Sequence, residues 1–186
     1  MATASPSECP RGRPAVHEAE SQPPAETIEF LNNYFALMMD AINEYSGTVN
    51  QMVGDGLMAI FGAPVQQEDH RERAVSAALE MMDMLDIFNR DQIARDKIPI
   101  QIGIGIASGK MIAGYTGTQH RAVYTCIGDT VNLASRIEDY TKQAGKPILI
   151  SEDTKQGLPE TIKTEFLGPV TFKGKHQAVG IYAVSK

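Results

Sequence analysis

Apolar residues recur along this chain with two distinct periods. Ile28, Leu31, Phe35, Met38 and Ile42 fall three or four apart, the spacing of one helix face, and predict a helix over about 24–45. Pro23-Pro24 suits its first turn and Ser46-Gly47 its end. Ala74, Ala77, Ala78, Met81, Met82, Leu85 and Phe88 predict a second long helix after the charged stretch 68–73. Between the two, apolar runs at 48–53 and 57–61 flank Gly54-Asp55-Gly56, which predicts a β-hairpin with Asp55 at its tip. Ile98, Ile100, Ile102, Ile104 and Ile106 alternate with Pro99, Gln101, Gly103, Gly105 and Ala107. That strand has one greasy face and one nearly bare, so another element can approach its backbone closely. Residues 108–115 read as a partner strand and 116–120 as a polar loop.

A further extended run ends at Gly128, and a helix is expected to about Lys142, with Asp129 and Thr130 offering N-cap chemistry. Val131, Leu133, Ala134 and Ile137 share one side of it, while Asn132 and Arg136 lie a turn apart on another. An amide and a guanidinium near a helix N-terminus clamp an anion whose charge grows during reaction; the same pair also serves as an ordinary solvated face. Gly145-Lys146-Pro147 turns into a strand at 148–150, and Ser151-Glu152-Asp153 caps a short helix. Strands around 170–172 and 180–184 form a terminal hairpin. Lys173-Gly174-Lys175 lies at its turn, as a phosphate handle or a solvated turn. The order predicts an α+β sandwich, an elaborated ferredoxin-like βαββαβ unit with helices on one face of a mostly antiparallel sheet. One strand of that unit, before the first helix, is unaccounted for. Residues 1–23, rich in Pro, Ser, Ala and charge without periodicity, read as a disordered or non-homologous leader, leaving 24–186 as the domain.

Bulk properties narrow the functions. The 186 residues, 42% hydrophobic and 22% charged, suit one soluble globular domain. A net charge of −6 lacks the broad basic footprint of a nucleic-acid binder. Cys9 and Cys126 make neither a metal spacing nor a redox pair, which fits a reducing, cytoplasmic setting. His17, His70, His120 and His176 are scattered without ligand spacing, which argues against zinc. Gly103, Gly105 and Gly109 are no dinucleotide fingerprint, because the spacing is wrong and no helix opens there. No apolar run approaches the roughly 20 residues of a membrane span, and no signal-peptide core is present.

Together the segments resemble the class III nucleotidyl cyclase catalytic domain. They are Leu31-Asn32-Asn33-Tyr34-Phe35, Gly54-Asp55-Gly56-Leu57-Met58-Ala59-Ile60-Phe61-Gly62, Gly103-Ile104-Gly105-Ile106-Ala107-Ser108-Gly109, the run from Tyr124 through Gly128-Asp129-Thr130-Val131-Asn132-Leu133-Ala134-Ser135-Arg136, and Phe172-Lys173-Gly174-Lys175. The resemblance implies attack of a nucleotide's 3′-hydroxyl on its α-phosphorus, giving the cyclic monophosphate and pyrophosphate with Mg²⁺ or Mn²⁺. It assigns Asp55 to metal, Asn132 to the ribose, Arg136 to the reacting phosphoryl group and Lys173 to the terminal phosphates. It also implies a site shared between two domains, so that the partner is a second copy in a homodimer or another cyclase domain. Base choice falls to Gln51 and Thr125. Thr125 points to ATP, whereas the Gln51 amide suits either purine edge. In the family a first strand carries a first metal Asp, followed by Arg-Gly-Phe-Thr. Here the matching position holds Cys9 or Arg11, according to alignment. Neither replaces a carboxylate on Mg²⁺. The expectation is an adenylate cyclase domain, truncated or degenerate, with weak or lost activity. The alternatives are an inactive nucleotide-binding or dimerisation module and a guanylyl cyclase.

Overall fold

The isoleucine ladder occupies the middle of the molecule. In a computed structural model that describes residues 2–7, 24–119, 121–174 and 177–185, the chain runs β1 (Ala2–Ser7), α1 (Pro24–Glu44), β2 (Thr48–Val53), β3 (Gly56–Ile60), α2 (His70–Ala94), β4 (Gln101–Ile106), β5 (Ile112–Thr118), β6 (Arg121–Ile127), α3 (Asp129–Ala144), β7 (Ile148–Ser151), α4 (Glu152–Lys155), β8 (Lys163–Val170) and β9 (Val179–Ser185). Seven strands form one sheet in the order β2-β3-β1-β4-β7-β9-β8. Its neighbours are antiparallel except for the parallel pair β4–β7. The β2-β3-β1-β4 half, with α1 and α2 as its connections, is the expected βαββαβ unit.

Three expectations change. The leader is not without structure: Ala2–Ser7 supply the missing strand, paired antiparallel with both β3 and β4. Its sequence, Ala-Thr-Ala-Ser-Pro-Ser, has no apolar alternation, because backbone hydrogen bonds can place a strand between two open edges whatever side chains it carries. The Arg11-Gly12 and Cys9 positions lie outside the described residues. Second, the segment after β4 does not pair with it. β5 pairs instead with β6 as a separate two-stranded ribbon, and takes in Thr116 to Thr118, which the polarity had marked as loop.

Third, helices cover both faces of the sheet. Ile100, Ile102, Ile104 and Ile106 are buried in one apolar cluster with Tyr34, Met38 and Ile42 of α1 and Ala74, Ala78, Met81 and Leu85 of α2. On the opposite face α3 packs through Leu133, Ala134 and Ile137 against Leu149, Ile181 and Ala183. The bare row of β4 is where α3 lies. A Cβ at Gly105 would overlap the Ala134 carbonyl oxygen and the Glu138 nitrogen, and one at Gly103 would overlap the Thr141 hydroxyl. Without side chains there, the helix can sit directly on the strand backbone.

Candidate active site

The register of β2 and β3 pairs Val53 with Gly56, leaving Gly54-Asp55 as a two-residue turn. Gly54 adopts φ 61°, the left-handed conformation that such a turn requires and glycine supplies without strain. Asp55 is thereby presented, half-buried, at the hairpin tip. A bulge between Val49 and Gln51 interrupts the ladder. Gln51 emerges exposed, opposite Met58, while both amide atoms of Asn50 are buried without a hydrogen-bond partner among the described residues. β2 adjoins β6, on which Thr125 stands half-buried opposite Gly114. The two expected base-reading positions therefore sit on adjoining strands.

At α3 the N-cap is Gly128, and no side chain caps the helix. The expected capping by Thr130 is replaced: its hydroxyl donates to the Lys110 carbonyl at 3.0 Å, tying the loop after β4 to the start of the helix. Asn132 is exposed on the first turn and Arg136 half-buried on the next. The β8–β9 turn comes to meet Arg136. A Cβ on Gly174, at φ 78°, would stand 3.5 Å from Arg136 Nη2, which puts the Lys173-Gly174 turn beside the guanidinium. Phe172 anchors that turn, buried edge-on against Tyr140 of α3 with ring centroids 6.0 Å apart. Arg136 Nη1 is buried and meets no acceptor among the described residues. A buried cationic N–H left unmatched is costly, so this one stands ready for an oxyanion. The structure thus brings the Lys173-Gly174 turn to Arg136, with Asn132 one turn away, and holds Asp55 on a different element.

Among the described residues no group of three or more His, Cys, Asp or Glu could hold a metal ion. Within β1 there is no Asp or Glu. Asp55 alone fits one Mg²⁺ or Mn²⁺ whose other ligands are phosphate oxygens and water; it does not make a two-ion cage. One residue, Tyr34, was named only within the family-like segment 31–35 and was given no role. Tyr34 carries a hydroxyl at a position of α1 where its fully buried neighbours Met38, Ala41 and Ile42 are apolar, and that hydroxyl is buried without a partner. A polar atom inside an apolar stripe was the available signal.

Residues 15–185 match the family model described as the adenylate and guanylate cyclase catalytic domain. An adenylate cyclase of Anabaena cylindrica is 39% identical over 173 residues, covering 89% of this chain and 34% of the relative. Adenylate cyclase 1 of Rhizobium meliloti is 34% identical over 166 residues, covering 89% and 25%. The chain spans about a quarter to a third of the length of these relatives. Among solved structures, the adenylyl cyclase CyaB from P. aeruginosa is similar with TM-score 0.88 at 30% identity, covering 100% of this chain and 92% of that one. The guanylyl cyclase Cya2 is similar with TM-score 0.86 at 33% identity, covering 98% and 89%.

Proposed function

Because the chain belongs to the adenylate and guanylate cyclase catalytic-domain family, we propose that residues 24–186 convert ATP to 3′,5′-cyclic AMP and pyrophosphate in a site shared by two copies. The rate is lower than a full pair of metal carboxylates would support. The bond formed is from the ribose 3′-oxygen to the α-phosphorus. The bond broken is from that phosphorus to the bridging oxygen, which leaves with pyrophosphate, and the hydroxyl proton passes to solvent. The observation that carries this reading is the buried Nη1 of Arg136, unmatched among the described residues, beside the Lys173-Gly174 turn. In that place it neutralises charge growing on the transferring phosphoryl group, while Lys173 takes the outer phosphates and Asn132 orients the ribose. Asp55 holds the divalent ion, which when bound supplies Lewis-acid polarisation of phosphate oxygens and a more acidic 3′-hydroxyl.

Pairing of two copies is supported by the β5–β6 ribbon. Ile112, Tyr115, Val123 and Ile127 are 77%, 79%, 47% and 65% exposed on it. A two-stranded ribbon with an apolar surface gains stability by covering that surface, and a second copy supplies a complementary one.

Removing the metal carboxylate is the direct test. Asp55→Ala is expected to abolish Mn²⁺-supported cyclic AMP formation and to weaken Mn²⁺·ATP binding at least about tenfold, measured by equilibrium dialysis. Unchanged product from Asp55→Ala would remove the residue from the site. Base choice is tested separately. Gln51→Lys is expected to raise the ATP-over-GTP ratio of kcat/KM about tenfold, equivalent to ~1.4 kcal/mol. An unmoved ratio takes Gln51 out of base reading, and a wild-type ratio favouring GTP makes the domain a guanylyl cyclase.

The lack of an acidic residue in β1 favours one second reading, a nucleotide-binding partner domain without turnover. That reading requires Mn²⁺·ATP binding with no product at any protein concentration.

A further inference from the structure

Tyr34 has none of its surface exposed, and its Oη is buried without a hydrogen-bond partner among the described residues. Buried hydroxyls in native proteins are nearly always matched, so one left open points to an acceptor that arrives in another state. Its surroundings identify that acceptor. Tyr34 packs in the same apolar cluster as Leu57, two residues beyond Asp55. Leu57 is level with Ala4 of β1, and Ala4 with Ile104 of β4. The hairpin tip therefore lies at the end of the sheet where Gly103 sits under the Glu138 carboxylate, whose Oε1 would be 3.3 Å from a Cβ on that glycine. Asp55 and Glu138 are the two acids whose charges act on the phenol. Glu138 belongs to α3, on the opposite face of the sheet from Tyr34. Asp55 stands half-buried at the hairpin turn.

We propose that Tyr34 is a positioning residue for Asp55: its hydroxyl donates to the Asp55 carboxylate when the metal–nucleotide complex is bound, fixing which carboxylate oxygen faces the ion. This rests on Asp55 being the metal residue. A carboxylate that holds an ion is oriented by such a donor. Burial first, and then the charges of Asp55 and Glu138, push the phenol far above its ordinary pKa.

Tyr34→Phe in the full chain tests this by removing one oxygen. With the hydroxyl unmatched among the described residues, the variant is expected to melt about 2–4 °C higher than wild type without ligand. Its half-saturating Mn²⁺ concentration for ATP binding, read by equilibrium dialysis, is expected to rise about tenfold, with a parallel fall in cyclic AMP formation. In an Asp55→Ala background the same change is expected to leave binding where Asp55→Ala alone puts it. A lower melting temperature means that the hydroxyl is already matched, and overturns the inference. So does wild-type Mn²⁺ dependence in Tyr34→Phe when Asp55→Ala has lost binding, and there the family site survives. If wild-type chain takes up no Mn²⁺·ATP, both readings fall together.

Discussion

Gly105→Ala is expected to destabilise the domain by about 3 kcal/mol, lowering its melting temperature by roughly 6–12 °C. The added methyl would meet main-chain atoms, the Ala134 carbonyl oxygen and the Glu138 nitrogen, on the helix packed across β4. A clash with a flexible side chain is relieved by rotation; a clash with two backbone atoms requires α3 to move. Gly105 is buried at the centre of the sheet, so β4 cannot yield either without loosening its pairing to β1 and β7. Because α3 carries Asn132 and Arg136, cyclase activity should fall further than the fraction unfolded explains. Gly114→Ala is the control: a Cβ there meets nothing within 4 Å, and its effect should stay within about 0.5 kcal/mol. Equal melting temperatures for the two variants would show that α3 does not rest on the glycine row.

Arg136→Ala is the second large effect. The guanidinium is held between α3 and the β8–β9 turn, and its buried Nη1 is unmatched among the described residues. A preorganised donor aimed at charge that develops during reaction contributes about 3–4 kcal/mol, so kcat should fall roughly 100- to 1,000-fold with a much smaller change in KM. Arg136→Lys should recover only part of this loss, since an ammonium keeps the charge but not the planar fork. Mixing makes the measurement decisive for the shared site. If Asp55 comes from one copy and Arg136 from the other, equal amounts of Asp55→Ala and Arg136→Ala give mixed pairs with one intact site of two. Activity should then return to about a quarter of wild type, since half of all pairs are mixed. No recovery, with pairing verified by sedimentation, would place both residues of each site in one copy.

The two periods in the side-chain pattern made α1, the β2–β3 hairpin, α2 and the isoleucine strand legible, because each depends on neighbours a few residues away. Asp55, Asn132, Arg136 and Lys173 were named because the segments that hold them resemble the cyclase family; turn glycines and helix spacing alone fit a plain turn or a solvated face equally well. The loop reading of 116–120 failed at 116–118 because an exposed ribbon strand and a loop have similar composition. The leader failed as well. β1 is fixed by backbone pairing to β3 and β4, and a backbone has no pattern to read.

By itself, then, the chain determined most of the stretches that become helix or strand, since those choices are made within one or two turns. Only the folded form decided that α3 takes the glycine face while α1 and α2 take the isoleucine face, that the Lys173-Gly174 turn lies beside Arg136, and that a tyrosine hydroxyl is buried and unmatched among the described residues. Those are contacts between residues far apart in sequence. They follow from which surfaces exclude each other's volume and which buried polar atoms find partners, and neither is encoded in the spacing of any single segment.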